Sequence, residues 1–331
     1  MIRDVKLNSS EYHRLYRPML FALLEGLTQV QGVKGEVLVM DVDDASILSE
    51  VALCDVSVLS GVSPEDRKGN FGETVFCVSR VKNVDFVGVE TEDSQNYVEW
   101  RGYEWLPIEV IMPAVSYLTF LECEYEPSDL LEWDDNSATM EDAFVGGMFS
   151  PLINAIMQLC PNGIDQLISY MSDIGIIPVY PNEYPNDLQE LMNNMLPPSV
   201  ILDWLCQVAL GKDIIKDPSS EDDEHNCVGV SSQSVQMLKD VLSKSGTEGI
   251  ARVAVSEGKY ISGYTYVTQQ DANRDRHICL LGYYPVDQPK YGILVYLQRR
   301  EQLQDVVRKE WPELGEYAAS LCKRVIEILY N

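Results

Sequence analysis

Positive charge is scarce in these 331 residues: 25 Lys and Arg face 52 Asp and Glu, giving a formal charge of −27 and an isoelectric point near 4.3. That balance opposes phosphate backbones and anionic lipid surfaces, and so argues against nucleic acid as a partner. Histidine is rarer still. His13, His225 and His277 stand far apart, and without clustered ligands no metal site is signalled. The eight cysteines (Cys54, Cys77, Cys123, Cys160, Cys206, Cys227, Cys279 and Cys322) form no C-x-x-C pair and no dense framework, so most read as small buried hydrophobes. Long apolar runs are also missing. The best N-terminal candidate, MLFALLEGL, is short, follows Pro18 and contains Glu25, so no membrane span, export signal or anchor is predicted. Reduced cysteines and a start at Met1 favour the cytoplasm, although a piece of a longer protein would read the same way.

With 46% hydrophobic residues the chain is able to bury a full core. SSEYHRLYRPMLFALLEGLTQV carries a helical apolar face with Ser9 and Ser10 as caps. GEVLVMDVD and SILSEVALC read as two strands joined by a turn. Between residues 60 and 102 only short β-rich pieces stand out, such as TVFCVSRV and VDFVGVE. From Pro107 to about Gly211 the pattern is mainly helical, in PIEVIMPAVSYLTFLE, SPLINAIMQL, GIDQLISYMSDIG, NDLQELMNN and SVILDWLCQVAL. Ser150 before Pro151, and Ser199 after Pro197 and Pro198, read as helix caps. IKDPSSEDDEHNCVG is an acidic break. Its Asp222, Asp223, Glu224, His225 and Cys227 could ligate a cation, but a solvated linker is the better reading. A helix, SSQSVQMLKDVLSKSG, then precedes three strands, KYISGYTYVTQ, HICLLGYYPV and KYGILVYLQ. The closing helix is WPELGEYAASLCKRVIEILY.

These segments predict an α+β protein with one antiparallel sheet of about five strands, two N-terminal and three C-terminal, covered by the terminal helices. A mainly helical lobe would complete a single domain, with a sheet lobe over residues 1–58 and 228–331 and a helical and irregular lobe over 59–227. A ligand would sit in the cleft between the lobes. On the first C-terminal strand the period of two points Tyr260, Ser262, Tyr264 and Tyr266 to one face. Strand packing explains such a face as readily as a binding surface does.

The order of segments resembles the transpeptidase domain of penicillin-binding proteins, serine acyltransferases that share their fold with serine β-lactamases. GEVLVMDVDDASILSEVAL is similar to the family's opening hairpin, and SATMEDAFVGGMFSPLINAIMQL to the segment holding its second motif. SGTEGIARVAVSEGKYISGYT is similar to the approach to the third motif, and LLGYYPVDQPKYGILVYLQ to the hairpin that follows. The family's chemistry rests on Ser-x-x-Lys for the nucleophile and its base, Ser-x-Asn for proton relay, and Lys-Thr-Gly for the substrate carboxylate.

None of the three survives here. PIEVIMP keeps both prolines of the first motif, which places Glu109 at the serine position and Met112 at the lysine position. The second motif falls on Gly147, Met148 and Phe149, or within a residue or two, with Ser150 next door as a weak alternative nucleophile. The third aligns on Tyr264, Thr265 and Tyr266, with tyrosine in place of lysine and a second tyrosine in place of glycine. Literal Ser-x-x-Lys matches occur at Ser79–Lys82 and Ser320–Lys323, but Ser79 sits in a β-like run and Ser320 in the closing helix.

The resemblance therefore implies a pseudo-transpeptidase that binds, scaffolds or regulates without acyl transfer and requires no cofactor. Its partner would be a peptidoglycan peptide or an envelope protein, and its compartment would lie outside the cytoplasm if it follows the family. Two other readings stay open. One is a divergent hydrolase or transferase using Glu109 and the cleft tyrosines, and the other is an interaction module with a filled cleft, including peptide binding by strand addition.

Overall fold

The computed structural model describes residues 33–54, 76–81, 84–91, 94–96, 106–160, 163–173, 176, 188–192, 194–211, 230–254, 259–268, 276–299 and 311–330. The N-terminal helix expected over residues 9–30 and the acidic break with its candidate cation ligands lie outside them.

The core of the molecule is an antiparallel sheet. Its N-terminal strands are β1 (Val33–Asp41), β2 (Ile47–Cys54), β3 (Phe76–Val81), β4 (Val84–Thr91) and β5 (Ser94–Asn96). Two short ladders come later in the chain. One joins β6 (Leu106–Pro107) to β9 (Met195–Leu196), and the other joins β7 (Leu130–Trp133) to β8 (Asn136–Thr139). The C-terminal strands are β10 (Ser262–Val267), β11 (Arg276–Tyr284) and β12 (Tyr291–Arg299). The order in the main sheet is β10-β11-β12-β1-β2-β3-β4-β5. Its first five strands are the two N-terminal and three C-terminal strands expected. The sheet then runs past the lobe boundary drawn at residue 58, because β3 pairs with β2 and continues the ladder. That boundary followed a composition shift, which does not register backbone pairing.

Both faces of the central strands are covered. Leu38, Met40, Cys279, Leu281, Leu294 and Tyr296 face the helical lobe, while Val37, Val39, Ile278, Leu280, Ile293 and Val295 face the other side. Double burial explains why these strands read as near-continuous apolar runs, such as VLVM and ILVYL, instead of alternating. Each fully buried aliphatic side chain contributes about 1.5–3 kcal/mol relative to exposure.

The lobe is built from α1 (Met112–Glu122), α2 (Met140–Val145), α3 (Phe149–Leu159), α4 (Gly163–Asp173), α5 (Leu188–Met192) and α6 (Pro198–Leu210). Helix α7 (Ser232–Glu248) carries Val235, Leu238, Val241 and Leu242 into the same core. Helix α8 (Trp311–Tyr330) closes the opposite face with Ala318, Leu321, Cys322, Val325 and Leu329.

Capping follows side-chain chemistry only in part. Thr139 Oγ1 accepts the Asp142 N–H at 3.0 Å at the start of α2, and Ser231 Oγ accepts the Ser234 N–H at 3.0 Å at the start of α7. Ser150 and Ser199 are not caps, contrary to the sequence pattern. Helix α3 already begins at Phe149 and α6 at Pro198, with Met148 and Pro197 at the cap positions and no side-chain cap bond. The β7–β8 hairpin, within a stretch that reads as helical, was also unforeseen. Among the described residues no helix is long and apolar enough to cross a membrane.

Candidate functional site

The stretch that resembles the first motif lies where the chain enters the helical lobe. Pro107 pairs with Met195, and the Ile108 N–H donates to Asn194 O at 2.7 Å. Residues Ile108–Val110 then form one 3₁₀ turn before α1 starts at Met112, so the helix expected from Pro107 onward is divided. Pro113 sits in the first turn of α1, where a missing N–H costs nothing. This turn leaves Glu109 half-buried, while Met112 is wholly buried in the core.

The second position is a turn between helices. Gly147 takes φ +72°, a conformation that glycine adopts without steric penalty. Phe149 follows as the first residue of α3 and is buried. The third position is β10, at the end of the sheet, where Tyr264 and Tyr266 are 1% and 3% exposed. Both belong to the core shared with the helical lobe. Thr265 points the other way, with its methyl group near Gly315 of α8.

These three regions meet. The Tyr266 hydroxyl donates to Glu109 Oε1 at 2.6 Å, and the Tyr264 hydroxyl donates to the Val110 carbonyl at 2.9 Å. The Phe149 ring lies 5.6 Å from that of Tyr264 and 5.5 Å from that of Tyr266, centroid to centroid. Phe144 completes the cluster through edge contacts with Phe149, Tyr264 and Tyr117, at 5.4, 5.4 and 5.3 Å. Edge-to-face rings at these spacings add about 0.5–1.5 kcal/mol per pair beyond burial. Phe144 was not singled out from the sequence, because the Gly146–Gly147 break interrupts any helical period linking it to Phe149.

Electrostatics keep the phenols protonated. Burial pushes the Tyr266 hydroxyl far above its ordinary range, and the neighbouring Glu109 carboxylate and its hydrogen bond raise it further. Tyr264 is raised in the same direction, chiefly by burial. A neutral phenol donating to a carboxylate is suited to holding two lobes together, and neither tyrosine is poised as a base near neutral pH.

Other serine candidates lie apart. Ser79 is on β3, five places along the sheet from β10, and Lys82 lies outside the described residues. Ser320 Oγ donates to the Tyr317 carbonyl of its own helix, α8, on the face of the sheet away from the aromatic cluster. Ser150 is half-buried in the first turn of α3. Among the described residues no group of three His, Cys, Asp or Glu side chains is arranged to hold a metal ion.

No protein-family model matches the sequence, and no curated protein matches it significantly. Solved structures do. The transpeptidase domain of the FtsI4 D,D-transpeptidase from Legionella pneumophila aligns over 96% of this chain and 98% of its own, at 14% identity and a TM-score of 0.58. PBPA from Mycobacterium tuberculosis aligns over 96% of this chain and 79% of its own, at 15% identity and a TM-score of 0.61. With the strand order and the helical lobe above, the chain has the transpeptidase-domain fold of penicillin-binding proteins.

Proposed function

We propose that this is a catalytically inactive penicillin-binding-protein-like domain with a binding, scaffolding or regulatory role linked to peptidoglycan or the cell envelope. The observation that carries the reading is the hydrogen bond from Tyr266 to Glu109. It joins the residue that the resemblance aligns with the family's nucleophile to the one that it aligns with the glycine that would leave room for substrate. Phe149 packs on the same tyrosine from the second motif position. Acyl transfer by the family's route needs a serine activated by a base and a cationic group, and the matching positions hold Glu109, Met112 and Tyr264 instead. With Tyr264, Tyr266 and Phe149 buried at the positions that the resemblance assigns to the cleft, the partner is an envelope protein docking outside them, or a peptidoglycan peptide held at their edge.

Incubation with a fluorescent penicillin should leave no covalent label on a denaturing gel under conditions that label an active penicillin-binding protein. A serine adduct located by mass spectrometry would overturn the proposal. The 2.6 Å contact also supports a second reading, in which Glu109 and Tyr266 form an acid–base pair for a different hydrolysis or transfer. Burial of the phenol and its raised pKa weigh against it. If a substrate screen does find turnover, Glu109→Gln should abolish it; unchanged turnover removes this reading.

A further inference from the structure

Cys123 and Cys160 lie 37 residues apart in sequence, yet the helix ends that carry them are brought together. Cys123 caps the C-terminal end of α1, its N–H donating to the Thr119 and Phe120 carbonyls. Cys160 caps the C-terminal end of α3, its N–H donating to the Ile156 carbonyl at 3.0 Å. The two side chains are near enough neighbours for the Cys123 thiol to bear on the ionisation of Cys160. The loop leaving α1 is strapped across the end of α3, because the Tyr125 hydroxyl donates to the Leu159 carbonyl at 3.3 Å and its ring packs edge-on against Phe120. Both cysteines are free thiols, Cys123 half-buried and Cys160 buried.

We infer that Cys123 and Cys160 form a reversible disulfide that staples the C-terminal ends of α1 and α3, with a low-molecular-weight disulfide as the oxidant. The thiolate of Cys123, the more accessible of the two, attacks the oxidant disulfide, forming a mixed disulfide and releasing one thiolate. The Cys160 sulfur then displaces the second thiolate, which leaves the protein disulfide, so that one disulfide is reduced to two thiols as two protein thiols are oxidised. Burial raises the Cys160 thiol pKa, with the Cys123 contact adding to it, so the second step depends on proximity more than on intrinsic reactivity. The staple is independent of whether the cleft is active. It would form in an oxidising compartment and stay open under cytosolic thiol buffering.

The test is to incubate the full chain with oxidised glutathione, block remaining thiols with iodoacetamide, and map the products by mass spectrometry. Between Arg101 and Lys212 the sequence has no Lys or Arg, so trypsin would leave both cysteines in one fragment. A glutamyl endopeptidase, able to cut after Glu122, Glu124 and Glu141, separates them. The expected result is a linked pair of peptides containing Cys123 and Cys160 that is lost on reduction and absent from Cys123→Ser. Oxidation should raise the melting temperature of the parent chain by a few degrees, because the bond closes a long loop, and should not raise that of Cys123→Ser. Recovery of both cysteines alkylated, of Cys123 glutathionylated beside a free Cys160, or of Cys123 joined to another cysteine overturns the inference.

Discussion

Tyr266 concentrates the energetics of the site in one hydroxyl. Tyr266→Phe keeps the ring among Phe149 and Tyr264 but removes the donor to Glu109. A hydrogen bond to a charged group is worth about 1.5–3 kcal/mol, so urea denaturation should show a loss of that order, while Glu109→Gln, which keeps an acceptor, should lose less. The pH dependence has a definite sign. A tyrosine whose pKa is raised on folding binds its proton more tightly in the native state, so its contribution is complete below the ordinary value of 10.0 and is lost as pH rises above it. Tyr283, pushed up to about 12 chiefly by burial, adds to the same trend. Unfolding free energy should therefore fall above about pH 10, with a shallower slope in Tyr266→Phe than in the parent. A parallel pair of curves would show that Tyr266 does not titrate this way. The shared face of Tyr264 and Tyr266 was legible from the strand period alone. Their hydrogen-bond partners were not, because Glu109 and Val110 lie more than 150 residues away; the family resemblance singled out Glu109, and nothing singled out Val110.

Elements were more legible than their ends, and Gly246 illustrates why. In SSQSVQMLKDVLSKSG a terminal glycine suggests a stop, yet α7 runs on to Glu248 with Gly246 inside it. The reason is tertiary: a Cβ on Gly246 would sit 1.7 Å from the Ile261 carbonyl oxygen, against the chain entering β10. Glycine is retained there for close backbone approach, and local propensity could not reveal that. Replacing glycine by alanine inside an exposed helix would ordinarily stabilise by about 1 kcal/mol. Here the sign reverses. Gly246→Ala should destabilise by about 1–3 kcal/mol or more, as overpacking against backbone does, read as a lower denaturation midpoint. A neutral or higher midpoint would mean that α7 shifts off β10 without cost. The serine caps at Ser150 and Ser199 were misread for a related reason. Pro197 and Pro198 supply the backbone angle for the entry to α6 themselves, and α3 begins at Phe149, ahead of Ser150 and Pro151, so both serines fall within the first turn.

At the scale of the whole molecule, the two N-terminal and three C-terminal strands and the helical middle were legible because doubly buried strands and amphipathic helices leave long patterns, whereas the order of the strands in the sheet was not. The β-rich pieces that become β3 and β4 stood out in a stretch of mixed Gly, Asp and Asn residues, but their pairing onto β2 did not, because local pattern does not register which strands pair. Charge is also unevenly distributed along the chain. From Gly102 to Gly211, the stretch that includes the helical lobe from α1 to α6, there is no Lys, Arg or His, and acidic side chains crowd Glu122–Asp142. One of these, Glu141, is relieved by an ion pair with Lys244 of α7, which lies outside that stretch. The remaining like charges repel one another across the lobe, and such repulsion destabilises a compact state until salt screens it. The screening length falls from about 30 Å at 0.01 M to about 3 Å at 1 M ionic strength. The melting temperature should therefore climb steeply as sodium chloride rises from about 0.01 M to about 0.15 M and more slowly beyond that, where the screening length is already about 8 Å. Lys244→Ala should steepen the climb by removing an internal counter-charge. A melting temperature that stays flat or falls with salt would show that the acidic lobe is not under electrostatic strain.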